Sequence, residues 1–110
     1  MMLFALFGSE NAEKVLQFLN IRTSGYPREM ATFYSIDVFS VQKQLDKFEI
    51  GGLVVSKFVG RTRVYEFDPR YPFLQELKAL LKKAFLFYPP EEIEKLKMNR
   101  RRPRRSGKPL

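Results

Sequence analysis

Apolar residues recur at intervals of three and four from Ala12 onward, with Ala12, Val15, Leu16 and Leu19 on one side and Glu10, Glu13, Lys14 and Gln17 on the other. That spacing predicts an amphipathic helix running to about Asn20. Ser9 suits its N-cap, because a hydroxyl there accepts from a first-turn amide that has no partner within the helix. Arg22-Thr23-Ser24-Gly25 breaks the period. Pro27 then fits the first turn of a short second helix ending near Tyr34, with Met30, Ala31 and Phe33 available for burial. Beyond Ser35-Ile36-Asp37, the residues Val41, Leu45 and Phe48 fall at i, i+4 and i+7 and mark the buried stripe of a third helix. Asp37 can cap this helix while Ile36 packs on Val41 as a hydrophobic staple, and Gly51-Gly52 ends it.

After Gly52 the pattern changes. Leu53 to Val59 and Arg63 to Phe67 are rich in β-branched and aromatic residues, and Gly60-Arg61-Thr62 lies between them, which predicts two short strands joined as a hairpin. From Pro72 the helical spacing returns through Phe73, Leu74, Leu77, Leu80, Leu81, Ala84, Phe85 and Tyr88. This predicts a final helix of about eighteen residues, some 27 Å long, which exceeds what a three-helix core would cover. Pro89-Pro90 stops it, and Glu91 to Met98 has the makings of one more short helix. Residues 99–110 are almost entirely Arg, Pro, Gly, Lys and Ser, a composition that predicts disorder. The expected fold class is mainly α with a β-hairpin (α+β), in the order helix, helix, helix, strand, strand, helix. The expected organisation is a domain over residues 1–88 and a basic, disordered C-terminal tail over 89–110.

Composition narrows the chemistry. The 110 residues fit one domain, and the 45% hydrophobic content supplies a core. With no Cys and no His, disulfides, Cys/His zinc sites, His-dependent nucleophilic catalysis and a histidine pH switch are excluded together. Asp37, Asp46, Glu49, Glu66 and Asp68 are scattered, each with a ready role as a cap or surface charge, and no glycine-rich phosphate loop accompanies them. Neither catalysis, a metal nor a cofactor is therefore expected. The net charge of +8 is unevenly placed: residues 1–90 hold 12 Lys/Arg against 9 Asp/Glu, whereas residues 91–110 hold 8 against 3. Such a balance favours an anionic polymer as partner, with nucleic acid ahead of a membrane surface. The apolar opening Met1 to Phe7 has no basic leader and stops at Gly8-Ser9-Glu10, so it reads as an arm packed on its own domain or on a second subunit, and a cytoplasmic location is expected.

Ordered motifs sharpen the nucleic-acid reading. They comprise Leu6-Phe7-Gly8-Ser9, then Arg28-Glu29-Met30-Ala31, then Ser40-Val41 with Leu45, Phe48 and Gly52-Leu53-Val54. Gly60-Arg61-Thr62-Arg63-Val64-Tyr65 and Asp68-Pro69-Arg70-Tyr71-Pro72-Phe73 follow. Over Leu6 to about Ala84 the chain resembles winged helix-turn-helix transcriptional regulators of the ArsR-like kind. The resemblance implies a DNA-binding scaffold whose third helix enters the major groove and whose hairpin is the wing. Two departures stand out: Ser35 occupies a turn position where such proteins often have Gly, and the absence of Cys and His means that their metal-sensing sites do not carry over.

The physical case assigns roles by residue. On the third helix, Gln42 and Gln44 can offer paired donor and acceptor groups to adenine, Lys43 and Lys47 can reach guanine or phosphate, and Ser40 suits either. Phe39 can contact a thymine methyl, its alternative being core or dimer packing. Arg61 and Arg63 on the hairpin suit the sugar-phosphate backbone or a narrow minor groove, Arg28 on the second helix and Lys57 on the hairpin are further DNA-binding candidates, and the tail cations Arg100 to Arg105 would add sequence-independent attraction if they touch DNA. Leu3, Phe4, Leu77, Leu80, Leu81, Ala84, Phe85 and Tyr88 are candidates for a homodimer interface that would set two recognition helices about 34 Å apart on double-stranded DNA. No residue pattern names a small-molecule effector. The competing reading is a winged-helix protein-interaction module, because fold does not dictate function. One continuous patch of Lys43, Lys47, Arg61 and Arg63 would favour DNA, and a dispersed set would favour the interaction module.

Overall fold

The computed structural model describes residues 2–98, so the basic run Arg100 to Arg105 lies outside the described residues. The element order is α1 (Phe4–Phe7), α2 (Glu10–Arg22), β1 (Ser24–Gly25), α3 (Pro27–Tyr34), α4 (Val38–Ile50), β2 (Val54–Val59), β3 (Thr62–Phe67), α5 (Leu74–Phe85) and α6 (Pro90–Lys97). This is an α+β arrangement in which α2 and α4 pack on a small three-stranded antiparallel sheet ordered β1-β3-β2.

Local chemistry explains the boundaries. Ser9 Oγ accepts the Ala12 N–H at 3.0 Å and starts α2. Ser35 ends α3 with φ +58, taking the left-handed conformation that a glycine would take more easily, so the turn into α4 keeps its geometry without one. Ile36 follows as a half-buried residue packed on the core. Asp37 then caps α4. The register Val59↔Thr62 leaves Gly60-Arg61 as a two-residue turn, and only Gly60 has positive φ (+66), the type II′ pattern whose twist matches the strands it joins.

β1 was not expected. Ser24 pairs with Glu66 and Gly25 with Tyr65, so a two-residue strand fastens the α2–α3 junction to the hairpin. Gly25 permits that approach: a Cβ there would meet Phe18 Cε1 at 2.7 Å and Met30 Cε at 3.0 Å. The core beneath is built from Val15, Leu16, Phe18 and Leu19 of α2, Met30 of α3, Val41 and Leu45 of α4, Tyr65 of β3 and Leu81 of α5. Phe33 and Tyr34 meet the Phe18 ring edge-on, with centroids 5.6 and 6.3 Å away.

Three expectations need correction. Glu13 and Gln17, read as solvent-facing, are fully buried. Glu13 Oε1 accepts the Leu3 N–H at 2.7 Å and its Oε2 accepts the Tyr88 hydroxyl at 2.8 Å, while the Gln17 amide donates to the Leu81 carbonyl at 2.8 Å. The polar side of α2 is thus roofed by the amino-terminal arm and by α5. Burial, and then the bond to Glu13, hold the Tyr88 hydroxyl far above the usual phenol range, so it remains a donor.

The last long helix is also shorter than expected. α5 stops at Phe85, and the amides of Leu86, Phe87 and Tyr88 bond to carbonyls three residues back, at 3.0–3.2 Å. Pro89-Pro90 explains the tightening, since a residue before proline is pushed out of the helical region. This turn swings Tyr88 onto Glu13.

The third correction concerns the boundary at residue 88: the short helix expected over Glu91 to Met98 is present, but it belongs to the packed body and not to a disordered tail. Pro90–Lys97 is a helix packed on α2, Leu96 is fully buried, and Ile93 joins the core from its edge. Arg22, stacked 5.0 Å from the Phe18 centroid and 4.9 Å from that of Phe33, donates to the carbonyls of Leu96 and Lys95 at 3.1 Å and of Met98 at 3.2 Å. It satisfies carbonyls that a helix C-terminus leaves without partners. The packed body therefore extends to Met98 and not to Tyr88.

Candidate nucleic-acid interface

α4 is oriented by its ends and its buried stripe. Val41, Leu45 and Phe48 face the core, so the opposite stripe of the helix is Phe39, Lys43, Asp46 and Ile50, at i, i+4, i+7 and i+11. All four are exposed, Phe39 at 73% and Ile50 at 88%. At the N-terminus the Asp37 carboxylate accepts the Ser40 N–H at 3.0 Å and the Ser40 hydroxyl at 2.7 Å. These bonds, the hydroxyl first, hold the Asp37 carboxyl below its usual range.

The flanks of α4 are occupied. On the hairpin side, Gln42 donates to Asp46 Oδ1 at 2.9 Å and to the Tyr65 hydroxyl at 3.0 Å. Glu49 accepts the Ser56 hydroxyl at 2.8 Å and pairs with Arg63 at 3.2 Å, and Arg63 also donates to Ser56 Oγ at 2.9 Å. The Arg63 guanidinium lies 6.0 Å from the Phe58 centroid and 5.6 Å from that of Tyr65. On the other flank, Lys47 Nζ reaches the Phe7 carbonyl at 3.5 Å and lies 5.3 Å from the Phe48 centroid.

The hairpin has two faces. Ser56 and Phe58 pair with Tyr65 and Arg63 on the face toward α4, so strand alternation turns Lys57, paired with Val64, to the other face. The tip exposes Phe58, Val59 and Arg61.

Of the candidate DNA-contacting residues, Phe39 and Lys43 lie together on the open stripe of α4. Phe39 is not part of the chain's core. Ser40 and Gln42 are engaged within the chain, and Gln44 turns its amide oxygen inward without a hydrogen-bond partner among the described residues. Lys47 and Arg63 occupy opposite flanks, Lys57 faces away from α4, Arg61 is at the tip, and Arg28 lies exposed on α3 beside Arg22 and Lys95. Lys43, Lys47, Arg61 and Arg63 are therefore dispersed and form no single patch. Sequence reasoning missed Asp46, Ile50, Phe58 and Val59. The phase of positions 46 and 50 against 41, 45 and 48 carried the signal for the first two.

The candidate dimer residues divide similarly. Leu81, Ala84, Phe85 and Tyr88 are buried within this chain, which corrects their assignment to a partner. Leu3 and Leu77 are half-buried against the same core, while Phe4 and Leu80 remain exposed.

No helix among the described residues is long and apolar enough to cross a membrane, and no group of three or more Asp or Glu among them could hold a metal ion. A scan against protein-family models and searches of curated proteins and of solved structures each find no match.

Proposed function

We propose that the protein is a winged helix-turn-helix regulator that binds double-stranded DNA in a sequence-dependent manner, with α4 in the major groove and the β2–β3 hairpin against the backbone. The observation that carries this reading is the open stripe of α4, a helix braced from both flanks and exposed along Phe39, Lys43, Asp46 and Ile50, beside a projecting hairpin with Arg61 at its tip. A helix of this width fits the major groove, where base edges distinguish all four pairs. Phe39 meets a thymine methyl, Lys43 reaches a guanine edge or phosphate, and the Asp46 carboxylate can accept from cytosine N4. The sheet order β1-β3-β2 and the helix order support the winged-helix assignment.

Selection of duplexes from a randomised pool by the full chain, followed by anisotropy titration across a salt series, tests the proposal. Enrichment of a defined sequence, its preference over scrambled duplex reduced by Lys43→Ala while Arg61→Ala weakens all duplexes alike, is the expected result. Absence of enrichment, with binding that salt abolishes for every duplex, overturns it. A second reading, the protein-interaction module, is favoured by the dispersal of Lys43, Lys47, Arg61 and Arg63 and by the exposure of Phe39 and Ile50 on α4 and of Phe58 on the hairpin face toward it. Such a surface suits a protein partner, and failure of selection together with an unchanged salt slope in Arg61→Ala would turn the assignment toward it.

A further inference from the structure

A groove of about 720 Å³ opens between α2, α5 and α6, on elements that the DNA reading leaves without a role. Its size is that of a small-molecule site. The floor is apolar, formed by Ile21 of α2, Phe85 of α5 and Ile93 of α6. Around it stand Lys78 and Lys82, one turn apart on α5, and Lys97 across the groove on α6. No acidic residue lines it: Glu91 and Glu92 of α6 border a separate cleft with Lys14 and Lys95. Lys78 is placed by the Phe67 ring, 6.0 Å from its Nζ, and neither Lys82 nor Lys97 is in an ion pair among the described residues.

Helix dipoles account for a lysine near a C-terminus, as Lys82 and Lys97 are, but not for Lys78 in the middle of α5 or for the apolar floor between the three. Three like charges around an apolar groove repel one another, and an anion with an apolar body relieves both costs: its charge offsets the lysines and its body covers the floor. We propose that this groove binds a soluble carboxylate with an aliphatic or aromatic body, the carboxylate held among Lys78, Lys82 and Lys97 and the body against Phe85 and Ile93. The site does not depend on the chain binding DNA.

Titration of the isotope-labelled full chain with decanoate, followed by amide NMR, tests the proposal. Decanol supplies the body without the charge, acetate the charge without the body, and decyltrimethylammonium the opposite charge. Decanoate is expected to bind saturably and to shift the amides of Ala79, Leu86 and Ile93. Binding should weaken at least tenfold in Lys78→Gln/Lys82→Gln and at least tenfold for decanol, and should be unchanged in Arg104→Gln/Arg105→Gln. The substituted lysines are exposed, and retention of the unperturbed amide spectrum verifies that the variant is folded. Equal binding of decanol or of decyltrimethylammonium, full binding by the lysine variant, or shifts confined to residues outside the groove would each overturn the proposal.

Discussion

Glu13 shows how much one side chain can organise. Its two carboxylate oxygens are fully buried and tie the arm, through the Leu3 N–H, to the chain after α5, through the Tyr88 hydroxyl. Replacing it with alanine strands a backbone donor and a hydroxyl in the interior, and hydrogen bonds to charged groups contribute about 1.5–3 kcal/mol each. Glu13→Ala is expected to lower unfolding stability by about 2–4 kcal/mol in urea titration, and a loss below 0.5 kcal/mol would show that water replaces both bonds. The burial of Glu13 was not legible in the sequence. Its partners Leu3 and Tyr88 are 10 and 75 residues away, and helical spacing reports only a residue's own helix. At Ser35 the local sequence was informative in a different way. Its φ of +58 costs an L-residue roughly 1–2 kcal/mol, partly offset by the lower entropy of the unfolded serine chain. Ser35→Gly should therefore stabilise the protein by about 0.5–1 kcal/mol. Measured loss of stability in that variant would mean that the serine hydroxyl contributes more than the backbone gains.

At the scale of elements, legibility followed sequence separation. α3 and α4 were readable because Pro27, Asp37 and the stripe Val41, Leu45, Phe48 act within one helix and its caps, and the hairpin because Gly60 and the β-branched residues act across a two-residue turn. β1 was not readable: two residues have no period, and Ser24-Gly25 becomes a strand only because β3 lies beside it. The end of α5 was overrun because apolar spacing continues to Tyr88 while Pro89 tightens the backbone three residues earlier. The α4 site was half legible for a similar reason, since residue type suggested Gln42 and Gln44 but only packing shows that Gln42 is bonded to Asp46 and Tyr65 and that the Gln44 amide oxygen is buried. α6 gives the sharpest consequence. Leu96 is fully buried against α2, so Leu96→Ala should cost about 2–4 kcal/mol of stability, as in other well-packed cores. Chemical unfolding monitored by circular dichroism checks this, and an unchanged midpoint would return residues 89–98 to the status of a detached tail.

Whether two copies would associate is decided at the scale of the whole molecule, and the residue and element scales constrain it. α1 and α5 both pack on α2, and each keeps apolar side chains exposed: Phe4 and Leu6 on α1, Leu80 on α5. The buried residues of α5 are satisfied within the chain, so a second copy approaching this side would cover the outer set. An isologous contact would pair the set with itself across a two-fold axis, and such an axis would give the two α4 stripes the symmetry of a palindromic duplex. The net charge of +8 opposes the approach of two copies, so the association should strengthen as salt screens the repulsion, whereas phosphate binding should weaken. Sedimentation velocity at micromolar protein and 0.15 M salt is expected to give about twice the 13.0 kDa chain mass. Phe4→Asp/Leu80→Asp should return the mass to that of one chain while the chain still unfolds cooperatively, its midpoint no longer dependent on protein concentration, because neither side chain is part of the buried core. A wild-type mass of 13.0 kDa under those conditions would remove the dimer, and with it the requirement for a palindromic site, while leaving the single-helix reading of DNA by α4 to be judged by duplex selection alone.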